Sequence, residues 1–268
     1  MLKAVKIEVF PHQGYGGRKI LVTTAEKETA RYLVKCEECG QSINEVIAHS
    51  FLRVLGYNTP DAQIIYIPST IIAEGNHDAL SISAFGGVEY VSEAQAFAAN
   101  KNTIGSLQDK TRIYELIILN SLLENMDGML QLMTDERLGI FLVDLGETLV
   151  SSTDIKVVLT AGETGVEIWK KLEIITRRRF GVVKTEQYLK DGRASCIYYS
   201  EDESDINMKS IDAAMANVLR KISVINLTRM RGCLRDLEQT YGTGLVECYK
   251  AVFRQLRYSC RLILKYNE

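Results

Sequence analysis

The chain has 268 residues, of which 46% are hydrophobic and 25% are charged, so it can bury a substantial core. Its 32 basic and 34 acidic residues leave a net charge of -2, which excludes the strong positive field of many nucleic-acid-binding proteins, and we expect no direct nucleic-acid partner. Because the sequence shows no signal-peptide pattern and no apolar stretch of membrane-spanning length, we also expect no membrane contact and a cytoplasmic location.

A meander of three strands is predicted at the start of the chain. Val5–Phe10 alternates charged and apolar residues as a half-buried strand does, Lys19–Thr24 is a second strand, and Arg31–Lys35 is a third. The connection between the last two is too short for a crossover, which predicts that they pair antiparallel.

The turn between the first two strands is rich in glycine, with Gly14, Gly16 and Gly17. Backbone amides in such a turn can approach phosphate groups without obstruction by side chains, which makes the turn a candidate phosphate-binding loop. Glycine in a hairpin turn more often serves the turn alone, so this motif by itself leaves both interpretations open.

An amphipathic helix follows the third strand. Apolar residues recur at three- and four-residue intervals over Ile43–Leu55, and Gly56 is placed to end the helix. Ser42 is the predicted N-cap, with Glu45 as its capping-box partner three positions later.

Glu45 also has a second interpretation, together with Lys35. A helix in this place can fold back over the strand that ends at Lys35, and kinases anchor ATP phosphates with such a pair of strand lysine and helix glutamate. The alternative is that Lys35 is a solvated strand end and Glu45 only a capping residue.

The middle of the chain is less regular. Gln63–Ile67 and Val88–Val91 are predicted strands, whereas Ala94–Ser106 is rich in alanine and has no clear period. We interpret Ala94–Ser106 as a connection between two lobes, and the predicted lobes are residues 1–96 and 97–268.

Two aspartates follow strongly apolar elements. Asp127 comes after the predicted helix Lys110–Leu123, and Asp144 comes at the end of a predicted hairpin made of Met129–Met133 and Gly139–Val143. A carboxylate directly after a buried strand needs a partner, and a divalent cation is a natural one. The alternative is that both aspartates cap local turns.

The remainder of the chain is predicted to be mainly helical. The helices expected from the periodicity of apolar residues are Val166–Arg178, Ser210–Ile222, Ile225–Tyr241 and Leu245–Tyr266.

The six cysteines are predicted to be mostly reduced residues of the core. Cys36 and Cys39 are the exception, because their spacing suits zinc or a redox pair; no second such pair supports that hypothesis.

In this order, the motifs resemble those of the HipA-like kinases over about the first 150 residues. The similarity rests on the glycine-rich turn Gly14–Arg18, the strand Arg31–Lys35, the helix residues Asn44–Ala48, the run Ile117–Asp127 and the strand end Val143–Gly146.

The resemblance implies an α+β, bilobal, protein-kinase-like fold with an antiparallel-sheet N-lobe that contains one helix, and a mainly helical C-lobe. It also implies ATP and Mg²⁺ as cofactors, and an unidentified protein partner whose serine or threonine hydroxyl accepts phosphate. The implied ATP-binding residues are Gly14, Gly16, Gly17, Lys35 and Glu45, the implied general base is Asp127, and the implied metal ligand is Asp144.

The sequence departs from the family pattern after Asp127. Family members usually continue with arginine, then a polar residue, and five positions after the aspartate a metal-binding asparagine; here these positions hold Gly128, Met129 and Leu132. A leucine cannot hold Mg²⁺, and the neighbouring Gln131 is the candidate second metal ligand in its place.

Three functions remain open from the sequence. The first is an active serine/threonine-protein kinase, and the second is a pseudokinase that binds nucleotide or a protein partner without turnover. The third is a helical interaction protein that docks on an acidic partner through Arg254, Arg257 and Arg261 of its last helix.

Overall fold

The computed structural model describes residues 1–10, 19–35, 39–74, 84–107, 110–124, 130–151, 154–155, 166–200 and 205–267. The strands are β1 Leu2–Val9, β2 Lys19–Thr24, β3 Lys27–Lys35, β4 Ala62–Tyr66, β5 Ala84–Glu89, β6 Gln95–Ala96, β7 Leu132–Asp135 and β8 Gly139–Leu142. The helices are α1 Cys39–Val54, α2 Ser69–Glu74, α3 Lys101–Gly105, α4 Lys110–Leu122, α5 Val166–Arg179, α6 Val182–Ser200, α7 Asp205–Ser223, α8 Arg231–Tyr241 and α9 Thr243–Asn267, with a 3₁₀ turn at Leu227–Met230.

Strands β1 to β5 form a closed sheet in the order β1-β2-β3-β5-β4. The predicted antiparallel pairing of the second and third strands is confirmed, with Leu21 opposite Leu33. The sheet as a whole was expected to be antiparallel, but β1 and β4 pair in parallel, with Leu2 opposite Ile65. A ring of five strands cannot alternate direction all the way round, so closing it forces one parallel pair.

The inside of the closed sheet holds its own small apolar cluster. Ile20, Tyr32, Val34, Ile65 and Phe85 are buried there. β-branched and aromatic residues of this kind pack well on a pleated surface, which is why these segments form strands.

Helix α1 packs directly on β5. A Cβ atom at Gly86 would lie 1.8 Å from the backbone oxygen of Ser42, so only glycine at this position permits so close an approach. This contact places the first turns of α1 over the end of β3.

The larger core joins α1 to the C-terminal helices. Helix α4 is buried along most of its length and packs on α6 and α7, and α9 packs on α5, α7 and α8. The rings of Phe51 on α1 and Phe253 on α9 stack with centroids 4.6 Å apart. The sheet and the helices are therefore not separated by a solvent layer at α1.

Helix α1 begins earlier than the sequence indicated. It starts at Cys39, so Ser42 lies inside the helix and the predicted N-cap and capping box at Ser42 and Glu45 are wrong. The Ser42 hydroxyl instead accepts a hydrogen bond from the Gly86 N–H, at 3.2 Å. Helix α1 is followed by a turn at Gly56, whose φ of 84° is one that glycine adopts readily.

Other helices and strands also differ from those predicted from the sequence. Helix α6 was not predicted, and Ala94–Ser106, predicted to be irregular, contains β6 and α3. The predicted helix Ile225–Tyr241 is divided at Met230, where the 3₁₀ turn meets α8.

None of the described helices combines the length and the apolar character needed to cross a bilayer.

Candidate functional site

Lys35 joins two carboxylates that are far apart in the sequence. Its Nζ atom lies 2.8 Å from Oε1 of Glu45 on α1, and it also donates a hydrogen bond to Oδ1 of Asp144, which follows β8. Only 11% of the Lys35 side chain and 7% of the Glu45 side chain are exposed. The three residues therefore form one largely buried ionic cluster.

The charges in this cluster stabilise one another. Burial would lower the pKa of Lys35, but the carboxylates of Glu45 and Asp144 outweigh burial and raise it above its usual value. Burial would likewise raise the pKa of Glu45, but the Lys35 ammonium group and the contact with His49 together lower it to about 2. Lys35 and Glu45 are consequently both charged at neutral pH.

Gln131 also contacts the Asp144 carboxylate. The backbone N–H of Val143 donates to the Gln131 carbonyl at 3.1 Å, which extends the β7–β8 hairpin and brings the Gln131 side chain beside Asp144. Its Nε2 atom donates to Oδ2 of Asp144 at 2.9 Å. The amide oxygen on the same side chain is a ligand of the type that Mg²⁺ accepts.

His49 is a site residue that the sequence reasoning missed. It is almost fully buried, its Nε2 atom lies 3.4 Å from Oε2 of Glu45, and its Nδ1 atom is hydrogen-bonded to the hydroxyl of Thr59. Its spacing of four residues from Glu45, which places both side chains on one face of α1, was the feature of the sequence that could have identified it.

The turn that carries Asp144 has an unusual backbone. Asp144 has a φ of 57° and Leu149 a φ of 62°, in the left-handed region that non-glycine residues seldom adopt. Aspartate tolerates this region better than most residues, whereas leucine there costs about 1–2 kcal/mol and persists only where its surroundings hold it. The conformation of the turn at Leu149 is therefore held by neighbouring elements.

The cluster lines a cavity of about 320 Å³. Apolar residues of its lining come from β3, from β5 and the segment after it, and from the β7–β8 hairpin; they include Leu33, Val88, Val91, Met133 and Phe141. The polar lining residues include Lys35, Glu45, His49, Gln131 and Asp144, together with Lys19, Ser42 and Glu89. Such a cavity suits a ligand that has both an apolar body and polar groups.

A larger cavity, of about 730 Å³, lies between α5 and the start of α9. Its charged residues are paired with one another, with Arg177 2.7 Å from Glu173 and Arg254 3.8 Å from Glu247. These pairs are largely exposed, so they lack the desolvated charge of the Lys35 cluster.

No protein-family profile matches the sequence, and neither does any curated protein. Among solved structures, the fold is similar to that of the Helicobacter pylori proinflammatory kinase CtkA, with a TM-score of 0.51 over 97% of this chain and 98% of that chain. The chain has a kinase-like fold. Sequence identity to CtkA is 10%, so the similarity is one of fold.

Within this kinase-like fold, the structure brings together Lys35, Glu45, Asp144 and Gln131 from four separate parts of the chain. Asp127, Gly14, Gly16 and Gly17 lie outside the described residues, as do Cys36 and the side chain of Cys39. Leu132, the residue at which the sequence departs from the HipA-like pattern, is 4% exposed and packs in the core.

Proposed function

We propose that the chain is an ATP-dependent, HipA-like kinase that phosphorylates a serine or threonine hydroxyl of a protein. The observation that carries this proposal is the ionic cluster of Lys35, Glu45 and Asp144 in the lining of a cavity that also has apolar walls. A buried lysine held by a helix glutamate, beside an aspartate that follows a strand, is the arrangement with which kinases bind phosphates and metal.

The apolar and the charged residues of the cavity lining match the base and the phosphates of ATP. The apolar walls at Leu33, Val88 and Phe141 would hold the purine ring, and the Lys35 ammonium group would neutralise phosphate charge. Glu45 keeps Lys35 in place and charged. In this proposal the turn with Gly14, Gly16 and Gly17 covers the phosphates through its backbone amides.

The side chains of Asp144 and Gln131 would fit Mg²⁺ with the Gln131 amide turned over, because in the structure its nitrogen, not its oxygen, faces the Asp144 carboxylate. Mg²⁺ usually takes one or two protein oxygens together with phosphate oxygens, and here the Asp144 carboxylate and the Gln131 amide oxygen would supply the protein's share. Among the described residues there is no group of three acidic, histidine or cysteine side chains that would form a separate cation site. When bound, Mg²⁺ neutralises charge on the transferring phosphate.

The proposed transfer uses Asp127 as the general base. The acceptor hydroxyl oxygen forms a bond to the γ-phosphorus as the bond to the β-γ bridging oxygen breaks, and ADP leaves with that oxygen. The hydroxyl proton passes to the Asp127 carboxylate. We further propose that residues 1–96 and 97–268 act as two lobes on either side of the cavity.

Calorimetric titration with ATP, in the presence and absence of Mg²⁺, tests the site. We expect binding that tightens with Mg²⁺ in the wild type and loses that Mg²⁺ effect in Asp144→Ala. Asp212→Ala, which removes an exposed carboxylate on α7, is the matched control and should bind as the wild type does. Absence of binding by the wild type under either condition would refute the nucleotide site.

A pseudokinase is the second candidate, and a specific contact favours it. The Gln131 amide presents its nitrogen, rather than its oxygen, to Asp144, and Leu132 is buried where the family carries a metal ligand. This function predicts ATP binding without turnover. Transfer of radiolabelled phosphate to the chain itself or to a generic protein acceptor, lost in Asp127→Ala, would decide for the kinase.

The third candidate, docking through α9, receives less support. Arg261 donates to the Ser223 carbonyl at 2.7 Å and Arg257 to the Ile225 carbonyl at 3.4 Å. These arginines therefore bind the backbone at the end of α7, where cations and helix carbonyls attract each other.

A further inference from the structure

Asn44 is a fully buried residue beside Glu45, and none of the three candidate functions assigned it a role. Its Nδ2 atom donates to the Gly146 carbonyl at 2.8 Å and to the Val150 carbonyl at 2.6 Å. Its Oδ1 atom accepts a hydrogen bond from the Tyr249 hydroxyl at 2.6 Å. One side chain on α1 thus joins the chain segment after Asp144 to helix α9.

The orientation of this amide follows from its partners. Carbonyl oxygens only accept hydrogen bonds, so the nitrogen of Asn44 must face Gly146 and Val150, and the oxygen must face Tyr249. Both hydrogens of the amide nitrogen are therefore used on one short segment of backbone, residues 144–150, which we term the Asp144 turn.

The Asp144 turn needs such support. It contains the left-handed residues Asp144 and Leu149, and its internal contacts include the hydroxyl of Thr148 on the Leu145 carbonyl at 2.6 Å. The Leu149 N–H donates to the Leu123 carbonyl at 2.9 Å, which fixes the far end of the turn.

Helix α1 has a second contact with the same turn, but this one joins two side chains and leaves the backbone of the turn unbound. Gln41 donates to the Glu147 carboxylate at 2.8 Å, and a side chain can keep such a bond while its backbone rotates. The two bonds from Asn44 end on backbone carbonyls and therefore restrict the peptide planes themselves.

We propose that Asn44 is a positioning residue that holds the backbone of the Asp144 turn, with its left-handed residues Asp144 and Leu149. It thereby keeps the Asp144 carboxylate against Lys35. Because Glu45 is the next residue of α1, the same helical turn places both carboxylate partners of Lys35. The consequence for nucleotide binding rests on the proposed function, whereas the conformation of the turn does not.

The test compares Asn44→Ala with Tyr249→Phe in the full chain. Asn44→Ala removes both bonds to the turn, whereas Tyr249→Phe removes a bond of similar burial on the other side of Asn44 and leaves both donors in place. Asn44→Ser, whose single hydroxyl can hold one of the two carbonyls, serves as a milder variant if Asn44→Ala does not fold.

The first measurement is amide hydrogen exchange on protein without ligand. We expect the Leu149 and Val150 amides to exchange at least about tenfold faster in Asn44→Ala, with little change in β4, and to be nearly unaffected in Tyr249→Phe. Equal acceleration throughout both variants would mean that Asn44 is only a buried polar residue of the core, and would overturn the proposal.

The second measurement is the factor by which Mg²⁺ tightens ATP binding. We expect a factor of about ten or more in the wild type and Tyr249→Phe, and about one in Asn44→Ala. A factor unchanged in Asn44→Ala would also overturn the proposal. If the wild type binds no ATP, the proposed function fails, and the exchange measurement alone decides the role of Asn44.

Discussion

Lys35 contacts both carboxylates of the candidate site, so its loss would take the ammonium group away from the buried Glu45. The Glu45 pKa is about 2 in the folded chain, below its usual value of 4.5. A lowered pKa contributes stability above the unfolded value that is lost as the pH falls through the folded value. For Glu45 this contribution is roughly 3 kcal/mol, present above about pH 4.5 and lost toward pH 2.

We therefore predict that Lys35→Met lowers the free energy of unfolding by about 3–5 kcal/mol at pH 7. Without the ammonium group, burial favours protonated Glu45, so the difference between wild type and variant should shrink below about pH 4.5. Urea denaturation at pH 7 and pH 3 measures this difference. Lys6→Met, which breaks an exposed pair with Glu8, is the control and should show no such pH dependence.

The charged members of the site could be predicted from the sequence because charge stands out in apolar surroundings. Lys35 ends an apolar strand, as the strand lysine of kinases does, and Asp144 follows another apolar strand, where a carboxylate needs a partner. Asn44 and His49 could not be found in this way. Buried polar residues on an amphipathic helix resemble solvated ones until it is known which elements cover that helix.

At the scale of elements, the contact between α1 and β5 sets the distance from Glu45 to Lys35. A Cβ atom at Gly86 would overlap the backbone oxygen of Ser42 and would lie 2.9 Å from the Val46 side chain. Backbone cannot give way as a flexible side chain does, so any residue other than glycine must push α1 away from the sheet.

We predict that Gly86→Ala destabilises the chain by about 1–3 kcal/mol and weakens ATP binding, because Glu45 moves with α1. Thermal unfolding and ATP titration measure the two effects. In Gly232→Ala, the control, the added methyl group meets no atom within 4 Å and helix propensity should favour the variant by up to about 1 kcal/mol. Normal ATP binding by Gly86→Ala would contradict the proposed role of this contact.

Helix α6 shows why some elements escaped prediction. Its buried positions include Thr185, Gly192, Cys196 and Ser200, which are small or polar, so the apolar periodicity of a buried face is absent. These small residues are there because α6 lies close to α4, where Gly192 faces the backbone of Ile118. Long helices with large apolar residues, such as α4 and α9, were predicted within a few residues.

At the scale of the whole molecule, the closed sheet was not predictable from the sequence. Local patterns identified the strands, but the parallel contact of β1 with β4 arises only when the ring closes. The two lobes suggested by the sequence stay a prediction. The larger apolar cluster runs without a break from Ala62 and Ile64 of β4, through α1, to the C-terminal helices.

A core shared in this way predicts one cooperative unfolding transition for the sheet and the helices. The stacked rings of Phe51 and Phe253 belong to the sheet side and the helix side of that core. We predict that Phe253→Ala lowers the free energy of unfolding by about 3–5 kcal/mol. The helices and the sheet of the variant should still unfold in one common transition. Far-UV circular dichroism follows the helices, and hydrogen exchange at β2 and β3 follows the sheet.

Tyr258→Ala, on an exposed position of the same helix, is the control. Two separate transitions in the wild type would show instead that the sheet and the helices fold as independent units, with the Lys35 cluster assembled only when they dock.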